Sequence, residues 1–284
     1  MRSRQEMMDL GMQFAHSYEQ IRLFTLEGSL TNVNIPPDEF QDYDFSYFVT
    51  DMEHFKRSDE WIDFFGPRMI LQKPEDMELF PAELGNWFSY LMIFEDGTKI
   101  DLTLIPLGEV GDYFEQSDGL VEVLLDKDNR IKQPVVASDR QYYIRKPSAR
   151  SFDDCCNEFW MSATYVAKGL ARQEILFAID MMNNVFRPNL LTMLRWKVGM
   201  DTEYTLSIGK SDKFLQQYVT REIWERLLST YNMVSIPSMW AALDTCVALF
   251  RETAHQIAKQ YQYSYPAYDA KISPYIDHIR KKSN

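Results

Sequence analysis

Asp42 and Asp44 stand one residue apart in the run Asp42-Tyr43-Asp44-Phe45-Ser46-Tyr47-Phe48-Val49, which alternates in the manner of a strand. Alternate side chains share a face, so both carboxylates aim at one region, roughly 7 Å apart along the chain, while Tyr43, Phe45, Tyr47 and Val49 take the other face. Like charges that close raise each other's pKa unless something neutralises them. A hard divalent cation does so naturally, and magnesium is typically held by one or two carboxylates together with waters and substrate phosphates. Upstream, Gly28-Ser29 ends the run Ile21-Arg22-Leu23-Phe24-Thr25-Leu26, a strand closing in a tight turn where glycine lets the backbone approach a bulky anion. A third carboxylate, Asp101, lies in Lys99-Ile100-Asp101-Leu102-Thr103-Leu104-Ile105. Its strand follows the hairpin signal Asp96-Gly97 and pairs with the apolar run from Trp87 to Phe94. A phosphate turn followed by a metal-binding acid pair, Asp42 and Asp44, makes an apparatus for handling nucleotides with magnesium.

These residues need a sheet to position them. Met7, Leu10, Phe14, Tyr18 and Ile21 recur at steps of three and four, which predicts an amphipathic helix over 4–21 packed on the first strand. Thr50-Asp51 offers an N-cap for a helix running through Trp61 and Phe65 to Gly66-Pro67. Arg68 to Lys73 and Val121 to Leu125 read as further strands. Residues 126–150 change character, with Asp126-Lys127-Asp128-Asn129-Arg130, Pro134 and Lys146-Pro147-Ser148 marking a loop-rich connection. From Ser151 onward the periodicity is helical: 152–167, 171–200, 213–231 and 266–280, with breaks expected at Pro188, Gly199 and Pro237. Its clearest stripe is Trp240, Leu243, Val247, Phe250, Ala254, Ile257 and Tyr261. The expected fold class is α+β, a mixed-sheet domain over 1–135 followed by a helical bundle domain over 136–284.

Bulk properties narrow the function. A formal charge of −12 over 284 residues argues against a nucleic-acid partner, which calls for a basic groove. An acidic surface instead concentrates cations, although acidity alone is equally a solubility device. Three cysteines, two of them adjacent, exclude a secreted disulfide framework and favour a reducing cytoplasm. Four scattered histidines give zinc no ligand spacing. No apolar run is long enough for a membrane span, and the N-terminus lacks a signal-peptide core.

The ordered set of Gly28-Ser29, Asp42-Tyr43-Asp44 and Asp101 resembles the signature of the nucleotidyltransferase fold of the polymerase beta type, which implies that Asp101 joins Asp42 and Asp44 in holding magnesium. The segments GSLTN…DEFQDYDFSYFVTD, EILFAID, LRWKVGM…IGKSDKF and LLSTY resemble the aminoglycoside 6-adenylyltransferases, streptomycin-inactivating enzymes, over nearly the whole chain. The chain departs from the family at Leu30, where arginine is frequent, so any phosphate contact made there must come from elsewhere. The resemblance implies transfer of AMP from ATP to an aminoglycoside hydroxyl, most readily the streptomycin 6-hydroxyl. Ser29 and Gly28 would contact the terminal phosphates. Arg195, Lys210 and Tyr231 match positions that related enzymes use for the nucleotide, which would place ATP in a cleft between domains. A general base belongs opposite the metals: Asp180 and Glu174, six residues apart, cannot both face one point. Asp180, among apolar neighbours whose burial would raise its pKa, is the choice. For an acceptor's rings and charges the sequence does not choose among Trp87, Tyr90, Glu95 and Trp160. Two other readings compete: transfer to a protein or RNA end, and a non-catalytic nucleotide-binding protein.

Overall fold

The computed structural model describes residues 1–283, and the chain divides into two compact units, Met1–Gln141 and the part from Tyr142 onward. The first is built on a six-stranded sheet of β1 (Ile21–Glu27), β2 (Tyr43–Val49), β3 (Arg68–Gln72), β4 (Phe88–Phe94), β5 (Lys99–Pro106) and β6 (Val121–Asp126), in the order β3-β4-β5-β2-β1-β6. Only β2 and β5 run parallel among the described pairings. The β4–β5 hairpin turns at Asp96-Gly97, where Gly97 takes a left-handed φ of 82°.

The two faces of this sheet have different jobs. Tyr43, Phe45, Tyr47 and Val49 are buried with Met7 and Phe14 of α1 (Arg4–Ser17), which starts from a Ser3/Glu6 capping box. On the other face a smaller core of Leu23, Phe48, Ile105, Val121 and Tyr113 of α3 (Val110–Gln116) fills one end. Moving along β1, β2 and β5 from that core, the same face passes through Thr25, Ser46 and Thr103 to carboxylates. One side of the sheet therefore holds the unit together, and the other grades from apolar to charged.

Asp51 caps a helix as expected, accepting from the His54 backbone N–H at 3.1 Å, but α2 covers only Met52–Lys56. A separate 3-10 turn, Glu60–Phe65, takes the chain to Gly66 at φ 108°. The helix does not run through because Ser58 and Asp59 bond locally, as in the Ser58 hydroxyl accepting from Glu60 N–H at 3.2 Å.

In the second unit α4 (Ala149–Ala171), α5 (Ile175–Met181), α6 (Arg187–Asp201), α7 (Arg221–Ser229), α8 (Ile236–Tyr261) and α9 (Tyr268–Ser283) enclose an apolar core. Phe159 of α4 stacks on Phe250 of α8 at 3.6 Å between centroids and on Phe186 at 4.4 Å. Within the α8 stripe Leu243, Phe250, Ala254 and Ile257 are fully buried. Pro237 sits in the first turn of α8, where the missing N–H costs nothing, whereas Pro188 lies within a continuous helical run and breaks no helix. A π-helical turn, Met182–Phe186, joins α5 to α6 without interruption. Nor does Gly199 end a helix; it lies inside α6, and a side chain there would collide with the Tyr204 ring. The helix expected over 213–231 is instead a 3-10 turn at Leu215–Gln217 followed by α7. All three cysteines are buried and unpaired, and among the described residues no helix is long and apolar enough to cross a membrane.

Candidate active site

Strand register decides which side chains meet. Glu27 of β1 lies opposite Asp44 of β2, and Asp44 lies beside Asp101 of β5, so three carboxylates form a row across adjacent strands. They line one cavity of about 460 Å³ with Gly28, Trp87 and Tyr113. One step along, Asp42 lies next to Lys99, whose Nζ donates to Asp42 Oδ2 at 2.6 Å and to Asp101 Oδ2 at 2.8 Å. Asp42 and Lys99 face a second, larger cleft of about 730 Å³, which Arg2, Arg4 and Leu30 also line.

The electrostatics follow from crowding. Asp44 is pushed up to about 7, first by burial and then by the negative charges of Asp101, Glu27 and Asp42. Burial raises Glu27 too, against the hydroxyls of Ser46, Tyr113 and Thr25 that hydrogen-bond to it. The Thr25 hydroxyl donates to Glu27 Oε1 at 3.1 Å and lies 3.2 Å from the Tyr113 hydroxyl. Burial works against the Lys99 ammonium, but its bonds to Asp101 and Asp42 outweigh that and hold it above the usual lysine value.

Gly28 has φ of +70°, and a Cβ at that position would fall on Asp44 Oδ2. The anion that the glycine lets the backbone approach is therefore the protein's own carboxylate. Beyond it the chain makes a 3-10 turn, Gly28–Thr31, tied by the Thr31 hydroxyl to the Gly28 carbonyl at 2.9 Å. The Ser29 hydroxyl accepts from Gln41 Nε2 at 3.2 Å, which leaves its own proton available to donate. Arg4 donates to the Leu30 carbonyl at 2.9 Å. Asp139, nearly buried, holds the following loop through Asn34 Nδ2 at 3.1 Å.

A divalent cation fits this donor set. Asp101 Oδ1 is buried and has no hydrogen-bond partner, and Asp44 is crowded by like charge, so both gain from a hard cation. No group of three His, Cys, Asp or Glu side chains is already gathered as a cage among the described residues. Magnesium does not need one, since substrate phosphates and water complete its shell.

The helical unit treats its expected residues differently. Arg195 lines a cavity of about 330 Å³ with Tyr143, Arg145, Trp196 and Ser211. Its guanidinium is already bound by Asp212, Nε to Oδ1 at 2.5 Å and Nη2 to Oδ2 at 2.7 Å. Lys210 is exposed on the turn after Gly209. Tyr231, 48% exposed, lies 3.8 Å from the Arg187 guanidinium. Arg187 itself is fully buried and bonds to the Thr230 carbonyl at 2.6 Å and to the Asn183 side chain. Asp180 is exposed, not partly buried, because it lies on the solvent side of α5, where Asn184 Nδ2 donates to it at 2.6 Å. The burial invoked for choosing it is absent, and Glu174 only precedes the first turn of α5.

Of the four side chains left open for an acceptor, Tyr90 and Trp160 are core residues. Trp87 lines the carboxylate cavity and is fixed by its indole N–H to Glu109 Oε2 at 2.7 Å. Glu27 and Lys99 escaped the sequence reading altogether. Alternation along β1 puts Glu27 on the face of Leu23 and Thr25, and alternation along β5 puts Lys99 on that of Asp101, but only register shows which acids they meet.

A mixed sheet with a glycine turn feeding carboxylates on neighbouring strands, followed by a helical unit, defines the nucleotidyltransferase class. The chain belongs to the streptomycin adenylyltransferase family, whose model matches residues 1–279. It is 58% identical over 279 residues to an aminoglycoside 6-adenylyltransferase of Bacillus subtilis (strain 168), covering 98% of each chain. It is 55% identical over 282 residues to an aminoglycoside 6-adenylyltransferase of Campylobacter jejuni, covering 99% of this chain and 97% of that one. A crystal structure of an aminoglycoside 6-adenyltransferase from Bacillus subtilis shares 52% identity over 99% of both chains, with a TM-score of 0.49.

Proposed function

We propose that this protein transfers AMP from ATP to a hydroxyl of an aminoglycoside, with the 6-hydroxyl of streptomycin as the first candidate, in the cytoplasm and with magnesium. The observation that carries the reading is the Glu27–Asp44–Asp101 row directly under the Gly28 turn, in a chain matched over nearly its whole length by relatives named aminoglycoside 6-adenylyltransferase. In the reaction the acceptor oxygen bonds to the α-phosphorus, the bond to pyrophosphate breaks, and the hydroxyl proton must leave.

Asp42, Asp44 and Asp101 would hold magnesium, which polarises the α-phosphate and stabilises the leaving group when bound. Ser29 donates its hydroxyl proton to a terminal phosphate oxygen, and Gly28 keeps that oxygen and Asp44 close to the same backbone. Arg195, Lys210 and Tyr231 are the proposed contacts to the nucleotide from the helical unit. Arg195 would exchange one oxygen of Asp212 for a phosphate. Asp180, open to solvent and steadied by Asn184, is the proposed acceptor of the hydroxyl proton. The acidic cavity suits a polycationic acceptor, and Trp87 in its wall offers a ring face for cations.

Purified protein with ATP, magnesium and streptomycin should release pyrophosphate only when the antibiotic is present. Release should vanish in the Asp42→Ala, Asp44→Ala double variant. Release independent of any aminoglycoside would point to a protein or RNA acceptor. ATP binding without release would point to a non-catalytic role.

A further inference from the structure

Lys99 occupies a place that nothing in the transfer reaction requires of a lysine. Its ammonium bridges Asp42 Oδ2 at 2.6 Å and Asp101 Oδ2 at 2.8 Å, the two outer carboxylates of the set proposed to hold magnesium. The parallel register fixes this, since Tyr43 faces Ile100 and the residue before each is therefore its neighbour's partner. Among the described residues lining the carboxylate cavity there is no lysine or arginine, so Lys99 supplies the positive charge that crowding of Glu27, Asp42, Asp44 and Asp101 demands.

Resting on the reading that these acids bind magnesium, we propose that Lys99 is a tethered counter-ion. It stands in the divalent cation's place while the site lacks metal, gives the carboxylates up when metal binds, and then pairs with a phosphate of the nucleotide. Three features make the exchange feasible. The Lys99 side chain is 32% exposed, so turning it outward breaks two ion pairs without unpacking a core. Its ammonium is a compact point charge on a flexible stem. The cleft it faces, lined by Arg4 and Leu30 next to the Gly28 turn, gives the released charge room beside the loop proposed to hold phosphates. Released charge and arriving charge match: metal on Asp42 and Asp101 removes what holds the ammonium, and the triphosphate brings more negative charge than the metal neutralises.

The direct test follows the amine itself. Wild-type protein is labelled briefly with acetic anhydride, and modification of Lys99 is quantified by mass spectrometry. Saturating Mg2+ without nucleotide should raise the labelling rate of Lys99 several-fold. Adding a non-hydrolysable ATP analogue should lower it again. In a parallel Mn2+ titration followed by electron paramagnetic resonance, Lys99→Met should bind about tenfold tighter than wild type, and Lys99→Arg should bind as wild type does. Unchanged labelling of Lys99 with Mn2+ demonstrably bound overturns the proposal and leaves the metal reading intact. Absence of Mn2+ binding in both wild type and Lys99→Met overturns both. Metal-dependent exposure of Lys99 in a protein that modifies no aminoglycoside supports the counter-ion and removes only the acceptor assignment.

Discussion

The sheet unit and the helical unit present their charges in opposite ways. In the sheet unit, Glu27, Asp44 and Asp101 are forced into one row by strand pairing, and like charge is left incompletely compensated. In the helical unit Arg195 is already held by Asp212, Arg187 by the Thr230 carbonyl and the Tyr231 ring, and Asp180 by Asn184, while Lys210 is exposed. Stored electrostatic tension thus lies on the sheet, while Arg195 and Asp180 must give up a partner before they can take a ligand. Groups under tension make large contributions to a bound state, and groups that exchange partners make small ones.

Substitution can break this contrast. Asp101→Ala should lower adenylyl transfer about a thousandfold, whereas Arg195→Met should raise the KM for ATP only about tenfold, because loss of the proposed phosphate contact is partly offset by the Asp212 bond it no longer has to break. Steady-state kinetics on the two variants decide it; comparable losses would show that the helical cations carry as much as the sheet acids. Gly28→Ala comes next, with activity expected about a hundredfold down and a stability loss of about 1–3 kcal/mol. A Cβ there would both strain the left-handed backbone and displace the Asp44 carboxylate. Thermal melting measures the first effect and pyrophosphate release the second.

The smallest effect sharpens the comparison by titration. Asp44 is raised from 3.8 to about 7, so between those values the folded protein holds a proton that the unfolded chain has lost. Stability of the metal-free protein should therefore fall as pH rises from about 4 to about 7, by about 1–2 kcal/mol after allowance for solvent screening. Glu27, also raised, acts in the same direction. Asp96 and Asp128, lowered to about 2, add stability above the ordinary aspartate range and lose it only in stronger acid. Melting in chelator across that window should show the slope, and Asp44→Asn should flatten it. An unchanged slope in the variant would mean the tension does not reside at Asp44.

What could be read beforehand follows the range of the interactions. The β4–β5 hairpin, the strand carrying Asp44 and the long stripe of α8 depend on residues close in sequence, and their positions came directly from alternation, a turn dipeptide and steps of three and four. The Lys99–Asp42 bridge and the place of Glu27 beside Asp44 stayed hidden because they depend on pairing between separate strands: Lys99 is 57 residues from Asp42. Overlong helices at 52–65 and 213–231 have a different cause. Apolar periodicity continues through Ser58-Asp59 and Tyr218-Val219-Thr220, while the polar side chains among them cap new turns, as Thr220 caps α7 through Ile223 N–H at 3.3 Å. Asp180 shows the limit of judging burial from neighbours, since on a helix adjacent residues face different directions.

The π turn at Met182–Phe186 makes chain length, not side-chain chemistry, the adjustable quantity at that point. A π turn accommodates one more residue than an α turn, so a single-residue deletion within it could be absorbed by reversion to α geometry, with α6 keeping its facing. The same deletion anywhere inside α6 would rotate everything beyond it by about 100°. Relatives that differ in length by one residue here would still present Arg195 to the same side.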